Sequence, residues 1–375
     1  MERPNVGYVT TVDAGVHARV KLRSDNTIVL DVPQFDQRIS GSIDPSSCRV
    51  LMNEPAELHL VKTALQIALM YAHATGHALS GLSLRTENDG ALAYVISENR
   101  LKIAKAGLGS SAAVTVATIS AVLKAFGVGV EENDALHKLS QLAHAVATGK
   151  VGSGFDIAAA THGDIIYSRY SPEIVRSFPA EYVGEDVRAI TERSWDYSIE
   201  HLPLPRAFDF LMASFSGNAA ITTSMARSAG QFKQEQPERY SQAVGEMNKE
   251  NELSISHLRK ISRGDISEGT LSDFKEAFDR ARLATKRFGE MSGVGIEPDD
   301  ATSLIEESKK NGAFVAKLPG AGGYDSIAAL VRNHAGTSDT ERLKNFWSSS
   351  SSLQLLGVAR HDGGAEVYVR RKLRG

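Results

Sequence analysis

One cysteine, Cys48, stands in 375 residues. It cannot close an internal disulfide, and there is neither a C-x-x-C pair nor a His/Cys cluster at ligand spacing. That excludes a thiolate zinc site and points to a reducing compartment, the cytoplasm. No uninterrupted apolar run reaches the ~18 residues of a membrane span, and residues 1–6 carry no apolar core of a secretory leader. An excess of one charge is missing as well: 42 basic against 45 acidic residues leave a net charge of −3. The chain therefore has no general affinity for nucleic acid or a bilayer, and any basic site must be local. The strict P-loop is absent, because Gly149-Lys150 is followed by Val151 where a Ser or Thr should hold magnesium. No repeat recurs at periods of 20 to 50 residues, and the final Leu-Arg-Gly is no peroxisomal tripeptide.

What is present is ordinary for a globular protein, with 42% apolar and 23% charged residues. The length suits two packed domains. Alternation predicts strands over 7–22 and 27–32 joined as a hairpin by the turn at 24–26, and an apolar stripe predicts a helix over 56–75. Strands are expected at 82–85, 91–96 and 165–167, and a second helix at 133–148. His137 and His144 on that helix read as surface or packing residues. Residues 185–196 read as surface. A buried strand at 208–214 follows a boundary near Leu202-Pro203-Leu204-Pro205. Amphipathic helices fill 222–261 and 268–292, strands 314–318 and 327–331 follow, and 353–359 with 366–370 are expected to close a hairpin across 362–364. Helices and strands thus mix along the whole chain.

The most informative stretch is Lys105-Ala106-Gly107-Leu108-Gly109-Ser110-Ser111-Ala112. Its glycines permit positive φ and close approach of a ligand, and Ser110 or Ser111 can cap a helix over 112–126. The head of such a helix collects unpaired N–H groups and the positive end of the dipole, which suits an anion, most often phosphate. Taken alone, the stretch also fits a dinucleotide fingerprint, with Glu131 or Glu132 as the acidic partner, or a capped turn that binds nothing.

Two further stretches restrict the choice. Gly107-Leu108-Gly109-Ser110-Ser111-Ala112 resembles the central nucleotide motif of the GHMP small-molecule kinases. Gly149-Lys150-Val151-Gly152-Ser153-Gly154-Phe155-Asp156 resembles G-K-x-G-S-G-F-D of the family's phosphomevalonate branch, and Leu318-Pro319-Gly320-Ala321-Gly322-Gly323-Tyr324-Asp325 resembles its P-G-A-G-G-[YF]-D loop. Segments 166–172 and 292–298 are similar too, so the resemblance follows the family's order along nearly the whole chain. It implies the fold class α/β, in a two-domain α+β arrangement with a ribosomal-protein-like βαβ domain over 1–205 and a ferredoxin-like domain over 206–375. It also implies ATP and Mg2+ as cofactors and 5-phosphomevalonate as the small-molecule acceptor, in a monomer or homodimer. Mevalonate as acceptor, or a non-catalytic nucleotide-binding protein, are the alternatives. Glu2-Arg3-Pro4-Asn5-Val6-Gly7 matches a family segment that follows a first strand, P-G-K-x-L-x-x-G-G-Y, and these 375 residues do not contain that strand or its lysine.

By the same resemblance Lys105 contacts the moving phosphoryl group, Gly107 to Ala112 hold the nucleotide, and Ser110 or Ser111 meets the metal. Asp156 is the active-site aspartate. A phosphate monoester has a second pKa near ~6 and needs little proton removal, so Asp156 is expected to orient Lys105 or magnesium more than to act as a base. Repulsion between two phosphates calls for cations at the acceptor end. Arg282 and Lys286, four apart on one predicted helix, can both point at one phosphate. Ser153, Gly154, Thr222, Gly320, Gly322 and Gly323 complete the expected substrate contacts.

Overall fold

The computed structural model describes residues 5–92, 94–95, 103–104, 107–129, 134–216, 222–320, 322–334 and 338–368. Its residues pack as two compact units, each drawn from three stretches of chain: 1–14, 90–108 and 202–362 in the first, and 15–89, 109–201 and 363–375 in the second. The packing units therefore interleave, whereas the expected stretches 1–205 and 206–375 are continuous.

The second unit is built on a five-stranded sheet ordered Val16–Leu22, Leu82–Asn88, Thr27–Val32, Gln37–Ile43 and Val50–Leu51. The strand expected over 7–22 is broken into Val6–Val9, Thr11–Val12 and Val16–Leu22, and its expected hairpin with 27–32 does not form. Leu82–Asn88 runs between Val16–Leu22 and Thr27–Val32, antiparallel to the first and parallel to the second. Gly81 makes this possible. Its N–H reaches the Asp25 carbonyl at 2.6 Å and its carbonyl accepts from Arg23 at 2.9 Å. A Cβ there would stand 2.2 Å from the Thr27 carbonyl oxygen, so only glycine lets the strand enter between the two ends of the turn.

Helices His59–Ala74, Ser110–Ala125 and Asp134–Thr148 belong to the same core, with Leu65, Ile67, Leu69, Ile119, Val122, Leu139 and Leu142 fully buried. Residues 185–196, read as surface, instead form the Gly184–Glu192 helix with Val187 and Ile190 buried, followed by buried Trp195, whose indole N–H donates to the Ile190 carbonyl. Only three of nine helical residues face inward, too few for the apolar stripe to stand out among the charges.

The first unit carries an antiparallel sheet ordered Val315–Lys317, Ser326–Arg332, Phe208–Phe215 and Leu353–Leu355. Its core holds Ile305, Ile327, Leu343 and Trp347, and the Trp347 N–H is satisfied by Ser308 Oγ at 2.9 Å. Three helices, Thr222–Glu235, Pro237–Ser262 and Glu268–Ser292, pack together around Phe232 and Phe288. Of the expected C-terminal hairpin, residues 366–368 form no strand and 369–370 lie outside the described residues. Arg360–His361 pairs with Thr11–Val12, and Gly364 sits on the Thr161 carbonyl, where a Cβ would come within 2.2 Å of the oxygen.

Candidate active site

Gly107 and Gly109 both adopt φ of +68°, in the left-handed region. Gly109 is itself the N-cap of the Ser110–Ala125 helix, its carbonyl accepting the first helical bond from Ala113 N–H at 3.0 Å, and no side chain caps this end. The capping role expected of Ser110 or Ser111 is thereby corrected. Both serines lie inside the first turn, one residue too late to fold back on its N–H groups. Ser111 Oγ instead lies 3.3 Å from His144 Nε2, on the Asp134–Thr148 helix. Ala112 is fully buried and fixes the turn, while Leu108 anchors the loop on Met212 and Leu356. Lys105 lies outside the described residues.

The third glycine-rich loop owes its shape to contact with residues 293–297. Gly320, Gly322 and Gly323 all have positive φ, and the Gly323 N–H donates to the Ile296 carbonyl at 2.8 Å. A Cβ on Gly322 would stand 2.3 Å from that same carbonyl oxygen. Where the loop leaves, a Cβ on Gly107 would meet Ser326 Oγ at 2.9 Å and Asp325 Cβ at 3.2 Å. The exit of the third loop and the entry of the central loop are thus in contact.

Asp156 sits half-buried in the first turn of the Phe155–His162 helix, whose N-cap is Gly154 at φ +77°. Its Oδ1 accepts from Ile157 N–H at 2.9 Å. A Cβ on Gly109 would be 3.3 Å from Asp156 Cβ, so the aspartate stands beside the head of the Ser110–Ala125 helix. Gly152 and Ser153 are exposed, whereas Gly154 is buried against Gln141. The loop is held at both glycines: Gln141 Nε2 donates to the Gly154 carbonyl at 2.8 Å, and Arg169 Nη2 to the Gly152 carbonyl at 2.5 Å. The Tyr170 hydroxyl donates to Gln141 Oε1 at 3.4 Å. Burial pushes that phenol up to about 12, with Arg169 opposing and the charge of Asp156 adding to the shift.

Sequence reasoning passed over Gln141, His144, Arg169 and Tyr170. Gln141 and His144 lie on a helix distant in sequence from what they touch. Arg169 and Tyr170 fall in a segment similar to the family, yet nothing local marks what they hold. His137, by contrast, is fully buried among Tyr167, Tyr197 and His162, a packing residue.

Arg282 and Lys286 lie on the Glu268–Ser292 helix as expected, but not as a pair aimed at one phosphate. Arg282 is 6% exposed, with Nη2 2.8 Å from Glu306 and Nε 3.4 Å from Glu297. Lys286 Nζ is taken by Asp299 Oδ1 at 3.0 Å and Thr302 Oγ1 at 2.8 Å. A cavity of about 310 Å³ opens beside Lys286, bordered by Glu290, Glu297 and Asp299. Three carboxylates to one ammonium make a poor receptor for a phosphate dianion. Thr222 opens the Thr222–Glu235 helix, and its side chain lies outside the described residues.

Two family models match the chain, the GHMP kinases N terminal domain over residues 59–164 and the GHMP kinases C terminal over 264–349. A peroxisomal phosphomevalonate kinase of Arabidopsis thaliana is 28% identical, covering 92% of this chain and 74% of its own. A phosphomevalonate kinase of Aspergillus fumigatus is 29% identical, covering 94% and 83%. The solved structure of Streptococcus pneumoniae phosphomevalonate kinase in complex with phosphomevalonate and AMPPNP superposes with a TM-score of 0.72 at 19% identity, covering 96% of this chain and 94% of that one. With both domain models in order along half of its length, and relatives of one kind matching nearly all of it, the chain belongs to the GHMP kinases.

Proposed function

We propose that this chain is a phosphomevalonate kinase, transferring the γ-phosphoryl group of ATP to 5-phosphomevalonate in the mevalonate route to isoprenoids. The observation that carries this reading is the placement of Asp156 beside Gly109, at the uncapped head of the Ser110–Ala125 helix. An anion at that head meets backbone N–H groups and the helix dipole, with a carboxylate at hand. The substrate class comes from the relatives that match 90% or more of the chain, which are named phosphomevalonate kinases.

Phosphoryl transfer asks for positioning and charge neutralisation more than covalent chemistry. In this reading the N–H groups of the central loop bind the nucleotide phosphates, and Lys105 neutralises the moving group. An oxygen of the acceptor's phosphate attacks the γ-phosphorus, the bond to the β-phosphate oxygen breaks, and ADP leaves. The acceptor is already a dianion, so no proton needs removal. Magnesium prefers one or two protein oxygens together with substrate phosphates. The hydroxyls of Ser110 and Ser111 and the Asp156 carboxylate are donors of that kind, and bound magnesium would neutralise phosphate charge there. His144 fixes the Ser111 hydroxyl, and Gln141 fixes the loop before Asp156. Ser153, Gly154, Thr222 and the glycines at 320, 322 and 323 stand as proposed substrate contacts.

Among the described residues no helix is long and apolar enough to cross a membrane. The single, buried Cys48 supports a reducing compartment, and we place the enzyme in the cytoplasm as a monomer or homodimer. Release of ADP over a panel of acceptors tests the function. Turnover of 5-phosphomevalonate well above mevalonate is the expected result. Preference for mevalonate, or nucleotide binding without ADP release, would overturn it.

A further inference from the structure

The acceptor's phosphate needs a cation, and Arg282 already stands at ion-pair distance from two carboxylates, Glu297 and Glu306, though its Nε and Nη1 carry no hydrogen bond among the described residues. Arg169 is placed differently. Its Nη2 donates to the carbonyl of Gly152, which with Ser153 is exposed and lies four residues before Asp156 in the same loop. No carboxylate of the described residues pairs with it. Its Nε is buried and has no acceptor among them. A buried guanidinium N–H without a partner is costly, and the usual remedy is an anion or a water. The Tyr170 hydroxyl, next along the chain, donates to Gln141 Oε1, and Gln141 in turn holds the Gly154 carbonyl, so Arg169 and its neighbour brace the loop before Asp156 at two points.

From this geometry we propose that Arg169 receives the phosphate of the acceptor, and so lets the enzyme tell a phosphorylated substrate from the free alcohol. The proposal rests on the kinase reading above. One edge of the planar fork stays on the Gly152 carbonyl and keeps the loop in place, while the remaining donors face the dianion. An ammonium on a flexible stem cannot do both. The loop that carries Ser153 and leads to Asp156 would then be built by the same residue that holds the attacking group.

The test compares the full-length wild type with Arg169→Gln and Arg169→Lys, measuring ADP release with 5-phosphomevalonate and with mevalonate, and MgATP affinity separately. Charge-assisted hydrogen bonds to phosphate of this kind correspond to about 10- to 100-fold in affinity. Arg169→Gln is expected to raise KM for 5-phosphomevalonate by about that factor, with MgATP affinity within about threefold of wild type and the discrimination against mevalonate reduced in proportion. Arg169→Lys is expected to fall between. Calorimetric binding of 5-phosphomevalonate without ATP should weaken in parallel. An unchanged KM, or equal losses for both acceptors and for MgATP, would overturn the proposal and leave Arg169 a brace for Gly152. Should Arg169→Gln fail to fold, Arg169→Lys, which keeps the charge, decides by the same KM comparison. If the wild type itself ignores 5-phosphomevalonate, the kinase reading has failed. If the wild type accepts it and the variants match it, only this inference has failed.

Discussion

A Cβ added to Gly109 would stand 3.3 Å from the Cβ of Asp156. Gly109, at the head of the Ser110–Ala125 helix, therefore lies against the side chain of Asp156, 47 residues later in the chain, with no room between them for a methyl group at ordinary contact distance.

Gly109→Ala should therefore impair catalysis more than stability. Alanine at φ +68° costs about 1–2 kcal/mol of backbone strain. The new methyl also presses on Asp156, and a displacement of about 1 Å in such a group can cost about 10²-fold in rate. The expected result is a kcat lower by about that factor with a melting temperature only a few degrees lower, read by ADP release and calorimetry on the same preparation.

Asp156→Asn separates orientation from base catalysis. If the carboxylate orients a cation, kcat should fall by about 10²-fold, the scale of removing one preorganised electrostatic group. The pH profile above the acceptor's second pKa of ~6 should then keep its wild-type shape. A limb present in the wild type and absent from the variant, with a carboxylate's midpoint, would assign Asp156 as the base instead.

The third loop offers a paired stability test. A Cβ on Gly320 meets nothing within 4 Å, whereas one on Gly322 meets the Ile296 carbonyl oxygen at 2.3 Å. Both have positive φ, so strain is common to the two substitutions. Gly320→Ala should cost about 1–2 kcal/mol. Gly322→Ala should cost clearly more, because the obstacle is backbone and cannot rotate away. Urea unfolding of the two variants side by side checks the order.

Much of this could be read from the residues alone, and the failures share one cause. Helices with wide apolar stripes, such as His59–Ala74 and Asp134–Thr148, announce themselves, as do buried strands such as Phe208–Phe215. Strand partners do not. The sequence next to Ser24-Asp25-Asn26 favours a local hairpin, and the strand that displaces it enters some 55 residues later, through Gly81. The site divides in the same way. Gly107, Gly109 and Asp156 lie in motifs, whereas Gln141, His144 and Arg169 act on residues that only the fold brings near them. The pairing of Arg282 with Glu297 and Glu306 was not legible, because helical spacing gives a shared face and says nothing about the carboxylates opposite.

Acid stability should depend on His137. It is buried against Tyr167, Tyr197 and His162, with Asp134 and Lys138 near it. Burial lowers it to about 3, and lowers His162 to about 4. Against an unfolded value near 6.5, the unfolded chain binds more protons between these limits, so stability falls as pH drops below about 6.5 and is unaffected above it. At pH 5 each histidine loses about 2 kcal/mol at most. His137→Gln, which cannot charge, should show a shallower decline of urea-unfolding stability from pH 7 to 5 than the wild type, even if it is less stable at pH 7.

Arg282→Met distinguishes a brace from a substrate contact. The guanidinium and Glu297 are both about 95% buried, and Thr302 Oγ1 donates to the same carboxylate at 2.9 Å. Removing one partner of a buried ion pair leaves the other charge uncompensated and typically costs about 3–5 kcal/mol. Replacing both by apolar residues of similar size is often neutral by comparison. Arg282→Met should therefore unfold at markedly lower urea, and Arg282→Met with Glu297→Met should recover most of the loss. Where the single variant remains folded, its KM for 5-phosphomevalonate should stay within about twofold of wild type. A large rise in that KM with stability unchanged would return Arg282 to the acceptor's phosphate, and would require the Glu297 and Glu306 contacts to open when substrate binds.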